Sequence, residues 1–133
     1  MKTKAALTQT EVTQILAAAR QDAISNNWAV SIAVVDDGGH LLGFERLDGA
    51  SPISSYIGIE KARTAALGRR ESKSYEESVN GGRTAFLSAP LLTSLEGGVP
   101  VIFDGQVIGA VGVSGVQAAQ DAQVAKAGVA AIG

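Results

Sequence analysis

Val99-Pro100-Val101-Ile102-Phe103-Asp104-Gly105-Gln106-Val107-Ile108-Gly109-Ala110-Val111-Gly112-Val113-Ser114-Gly115 is the stretch that decides the fold. Asp104-Gly105 stands between two β-branched runs, and a two-residue type I′ turn needs positive φ at both central positions, which Asp and Gly tolerate. Val99 to Phe103 and Gln106 to Val113 are therefore the strands of a hairpin. Gly109 and Gly112 leave the second strand without side chains at two positions, which reserves room for another backbone, a helix or a ligand. Gly112-Val113-Ser114-Gly115 leads into a helix whose Ala118, Ala122, Ala125, Val129 and Ile132 form a narrow, mostly small-residue stripe. That helix is expected to pack on the glycine-bearing strand.

Upstream, the same logic gives a first helix and a second hairpin. Thr8 with Glu11 reads as a capping box, and Val12, Ile15, Leu16, Ala19 and Ala23 recur along one helical face. Asn26-Asn27 ends the helix, and the run from Trp28 to Val35 puts Val30, Ile32 and Val34 on one face of a strand and Ser31 on the other. Asp36-Asp37-Gly38-Gly39 then turns the chain, so that His40 begins a partner strand running to Arg46. Ser51-Pro52 opens another helix, through Ile53, Ile57, Ala62, Ala66 and Leu67 to Gly68. From Arg69 to Leu92 the signals are mixed: Ser72 to Ser78 suits a short helix, Asn80-Gly81-Gly82 breaks it, and Pro90 forbids a central strand nearby. The order is helix, two strands, helix, broken segment, two or three strands, helix. It predicts an antiparallel sheet covered by helices, an α+β arrangement of the α/β class with no βαβ repeat.

Composition bounds the possible chemistry. The 133 residues suit one domain, 1–133, and 46% apolar against 18% charged residues with few aromatics calls for a core of Ala, Val, Ile and Leu. Eleven basic and thirteen acidic residues give a net charge of −2, without the basic stripe that nucleic acid requires. There is no Cys and one His, which excludes disulfides, thiolate sites and multi-histidine metal centres. The cationic start runs directly into polar residues, and no apolar run reaches membrane-spanning length, so a cytoplasmic location is expected. Low charge and abundant small apolar residues point to a homo-oligomer.

Three places carry potential chemistry. At the Ser114-Gly115 junction a strand gives way to a helix, so its free amides suit a carboxylate or phosphate, or Ser114 simply caps the helix. His40 is the one side chain with an ordinary pKa near neutrality; it serves either as a ligand to a metal or as a partly exposed turn residue. Arg46, Asp48, Lys61, Arg63 and Thr64 supply cations, an acid and a hydroxyl that the fold is able to gather, with Lys61 and Thr64 on one helix face. They read either as a site, in which a shielded Lys61 clamps an anion or acts as a base, or as solvated surface pairs. Asp36, Asp37 and Asp104 read as turn residues.

Five blocks in order make the chain recognisable: Val34 to Leu42, Arg46 to Ala50, Lys61 to Ala66, Gly97 to Pro100, and Gly109 to Gly115, joined by Gln120-Asp121. Over nearly its whole length the chain resembles the GlcG, HbpS and PduO C-terminal family. The resemblance implies a profilin-like fold with a five-stranded antiparallel sheet, assembly into dimers and larger rings such as an octamer, and haem binding or haem breakdown. It points by position to His40, Arg46, Asp48, Lys61, Thr64, Ser114, Gly115 and Asp121. With haem as the ligand, His40 is the candidate for the iron, Tyr56 or Tyr75 an oxygen alternative, and Lys61, Arg46 and the helix-end amides the partners of the propionates. Two rival readings stand beside it: an isomerase or lyase acting on an organic acid with Lys61 as base, and a noncatalytic accessory subunit. The chain departs from the family pattern at Leu67 to Ser72, polar and without proline, and at Ala89 to Leu92, both bordering the expected pocket.

Overall fold

Residue alternation along the strands sorts the core into two layers, and this sorting builds the fold seen in a computed structural model of residues 1–133. The elements are α1 (Gln9–Ser25), β1 (Ser31–Asp36), β2 (Leu41–Arg46), α2 (Pro52–Gly68), α3 (Lys73–Asn80), a 3-10 turn at Thr84–Ser88, β3 (Gly98–Phe103), β4 (Gln106–Ser114) and α4 (Ala118–Ala130). The strands form one antiparallel sheet in the order β2-β1-β4-β3. Val30, Ile32, Val34, Val111 and Val113 pack with Val12, Ile15 and Ala19 of α1 and Val124 and Ala125 of α4. The alternate residues Ala33, Val35 and Ala110 meet Ala62, Ala65 and Ala66 of α2 on the opposite face. Helices therefore cover both faces of the sheet.

The β3–β4 hairpin turns as its residues require, with φ of 53° at Asp104 and 74° at Gly105. At the start of α1 the Thr8 amide N–H and hydroxyl both donate to the Glu11 carboxylate at 2.8 Å.

The space at Gly112 goes to α2 rather than to α4, contrary to the reading from sequence. A Cβ there would collide with the Gly58 carbonyl and the Ala62 amide of α2, so the helix backbone lies directly on the strand. This close approach also sets the register of α2. Small residues, Ser54, Gly58, Ala62, Ala65 and Ala66, face the sheet, while Ile53 and Leu67, expected inside, are exposed. Gly109 instead makes room for the Val35 carbonyl and Leu7. The small residues of α4 meet α1, where Gly128 packs beside Ile15 and Ala19.

Four strands form, one fewer than the family resemblance implied. Between α3 and β3 the backbone is bound by side chains instead of a ladder: Thr64 Oγ1 accepts from Thr93 N–H, Glu76 from Glu96 N–H, and Ser72 Oγ from Gly98 N–H. Pro90 has no N–H to offer, and Leu91 sits at φ 59°, outside the extended region. No helix is long and apolar enough to cross a membrane.

Candidate functional site

The residues singled out from sequence fall into four neighbourhoods. The first is the end of the sheet, where α2 and α4 approach from opposite faces. Lys61 reaches around it and donates to the Asp121 carboxylate and the Val113 carbonyl, each at 3.0 Å. Both side chains are buried, at 5% and 3% exposure. Gly97 makes the passage possible, since a Cβ at that position would stand 2.8 Å from Lys61 Nζ and 2.7 Å from the Val113 carbonyl. The other Asp121 oxygen accepts from Val116 N–H at 3.2 Å, so the anion at the start of α4 is the protein's own. Burial pushes the Asp121 carboxyl above the ordinary carboxylate range, against the pull of Lys61 and the Val116 amide. Ser114 is buried here, and Gly115, at φ 141°, lies against the Ala29 carbonyl.

The second neighbourhood is the β1–β2 turn. Asp36 Oδ1 accepts from the amides of Gly38 and His40 at 2.9 Å and lies 3.1 Å from His40 Nδ1. A carboxylate only accepts, so in the neutral imidazole Nδ1 carries the proton and Nε2 the free lone pair. The imidazole is 80% exposed. Arg63 of α2 packs under the turn, where a Cβ on Gly39 would meet its Cγ. Its terminal nitrogen pairs with Glu60, while its buried Nε–H has no partner.

Arg46 and Asp48 line a third place, a cleft of about 450 Å³ between the end of α1 and the end of β2, with Trp28 in its wall. Arg46 donates from Nε and Nη2 to the Ala50 carbonyl at 3.1 and 2.8 Å, and Arg20 faces Glu45 at 3.5 Å. Thr64 belongs to a fourth, a cleft of about 230 Å³ that also holds Tyr75. The Thr64 hydroxyl is committed, donating to the Glu60 carbonyl and accepting from Thr93 N–H. Tyr56 stands 75% exposed on the outer side of α2.

Lys61, Asp121, Ser114 and Gly115 are thus brought together, whereas His40, Arg46 with Asp48, and Thr64 occupy separate places. Sequence reasoning missed two features of the His40 turn. The carboxylate four residues before His40 orients the ring as well as the turn, a pairing that the Asp36 to His40 spacing across Gly38-Gly39 could have signalled. The free Nε of Arg63 left no signal, because only packing removes its partners.

Comparison with known proteins places this geometry. A family model described as haem-degrading protein HbpS-like matches residues 7–130. Protein GlcG of Escherichia coli strain K12 is 68% identical over 114 residues, covering 86% of this chain and 85% of GlcG. Among solved structures, a double mutant of HbpS from Streptomyces reticuli superposes with a TM-score of 0.90 at 31% identity, covering 100% of this chain and 91% of that one. The PduOC–haem complex superposes with a TM-score of 0.86 at 27% identity, covering 96% and 95% of the two chains. By sequence and by fold, the chain belongs to the HbpS-like family.

Proposed function

We propose that this protein binds haem at the β1–β2 turn, with His40 Nε2 as the iron ligand and the Arg63 guanidinium as a partner of a propionate. One observation carries the reading: Asp36 holds His40 Nδ1 at 3.1 Å while the imidazole stays 80% exposed, so its second nitrogen is presented outward with its tautomer fixed. Carboxylate-oriented imidazoles are the usual form of histidine metal ligands. The surroundings fit the group. The part-exposed Arg63 guanidinium, whose stem packs under Gly39, suits an anionic substituent, and half-exposed Leu41 and Leu67 supply apolar surface near the turn. Lys61 and the amide end of α4 are taken by Asp121, which leaves the part-exposed Arg63 guanidinium as a cation packed against this turn. The haem-bound relative and the family description support the choice of ligand.

When bound, haem supplies a redox-active iron; the chain's own contribution is to ligate it and to hold a carboxylate. Holding rather than degrading the ring suits the open turn, because controlled oxidation calls for a site that excludes water. Lys61 and Asp121 then act as a clamp between helices rather than as acid and base.

Hemin titration of micromolar protein, followed in the Soret band, tests the proposal. A saturable one-to-one shift is expected in the native chain, and it is lost in His40→Ala. No shift, or the same shift in the variant, overturns haem binding or the ligand assignment respectively. With ascorbate present the Soret band persists if haem is held, and bleaches if it is degraded.

A further inference from the structure

The smaller cleft, between the C-terminal half of α2 and the segment leading to β3, has the character of a built site. Its walls are Leu67, Leu91, Leu92 and Pro90, with Tyr75 inside. Tyr75 is only 7% exposed, and its hydroxyl, which bonds to no group of the chain, keeps its contact with solvent through the cleft. The ring is fixed from two sides, with the Arg70 guanidinium 4.2 Å from its centroid and the Phe86 edge at 5.3 Å and 74°. Gly68 is required beneath it, since a Cβ there would collide with the phenol oxygen. The other hydroxyl in the wall, Thr64, has both its donor and acceptor roles filled. The rim is strained: Leu91 sits at φ 59°, a region that a branched side chain rarely enters, and such strain gathers at ligand clamps.

We propose that this cleft binds a small, mostly apolar molecule carrying one hydrogen-bond acceptor, which takes the Tyr75 hydroxyl as its donor. The cleft is small, about 230 Å³, and open to solvent, which suits a compact carbonyl compound. Four apolar walls, with the Tyr75 hydroxyl the one uncommitted side-chain donor among the lining residues, select against charged or multiply polar ligands. The proposal does not rest on haem binding at His40, although Leu67 borders both places, so the titrations use haem-free protein.

Acetophenone and α-methylstyrene have the same shape, and only the first has an acceptor, so the pair isolates the hydroxyl. Each is titrated into full-length protein carrying ¹³C-labelled leucine methyl groups. Saturable shifts are expected at Leu67, Leu91 and Leu92, with acetophenone bound about three- to tenfold more tightly, the range of one neutral hydrogen bond. In Tyr75→Phe the two ligands become equal. In Leu91→Gly, which removes rim contact without touching the phenol, both weaken while the preference remains. Absence of saturable shifts at these leucines, or a preference that survives in Tyr75→Phe, overturns the proposal.

Discussion

At the residue scale the decisive group is Asp36, whose carboxylate serves two purposes. Burial pushes its carboxyl up, but the amides of His40 and Gly38 and the His40 ring outweigh that and hold it below the ordinary carboxylate range. A carboxyl held low in the folded state stabilises above its unfolded value, and that contribution is lost as pH falls through the lowered one. In Asp36→Asn the ring loses its anionic partner and keeps at most a neutral amide acceptor at Nδ1. Hemin affinity at neutral pH is expected to fall tenfold or more, the usual cost of removing such a partner; an unchanged affinity would detach Asp36 from the site. The turn role of Asp36 was legible in Asp36-Asp37-Gly38-Gly39 because Asp and Gly have local reasons to be there. Its hold on the imidazole was not, because that depends on where the turn's dihedral angles aim a ring four residues on.

At the scale of elements, Lys61 and Asp121 join two helices that otherwise lie on opposite sides of the sheet. Mutual attraction offsets the desolvation of these charges only while both are present. Lys61→Met strands a buried carboxylate, and urea denaturation is expected to show a loss on the order of 3–5 kcal/mol. Adding Asp121→Leu recovers most of it, as an apolar pair needs no compensation. If Lys61→Met alone stays within about 1 kcal/mol of the native protein, the pair contributes too little to act as a clamp. Lys61 was identifiable as a special position, but it read either as facing a ligand or as one of a solvated surface pair. Its partner is 60 residues away in sequence, and the contact exists only because Gly97 lets the ammonium pass. The same cause misdirected the register of α2. Periodicity placed Ile53 and Leu67 inside, whereas backbone contact at Gly112 turned the small residues inward.

Across the whole molecule, large apolar side chains remain outside: Ile53, Tyr56, Leu87, Leu91, Ile102 and Phe103 are each more than half exposed. Scattered apolar residues are ordinary on a surface, but so many on a 13.5 kDa chain with few charges favour self-association. We infer that the chain self-associates. Sedimentation velocity at micromolar concentration is expected to give a dimer or a larger species, and a lone 13.5 kDa species would refute the inference. By itself the sequence determined the hairpins, the three long helices and the antiparallel sheet, because turn chemistry, capping and alternation act over a few neighbouring residues. Tertiary structure alone decided which helix lies on Gly112, that the segment before β3 forms no strand, and that the residues of interest divide among four places. Those outcomes depend on backbone approach and on the competition of distant side chains for the same polar groups, neither of which is encoded within a short window of sequence.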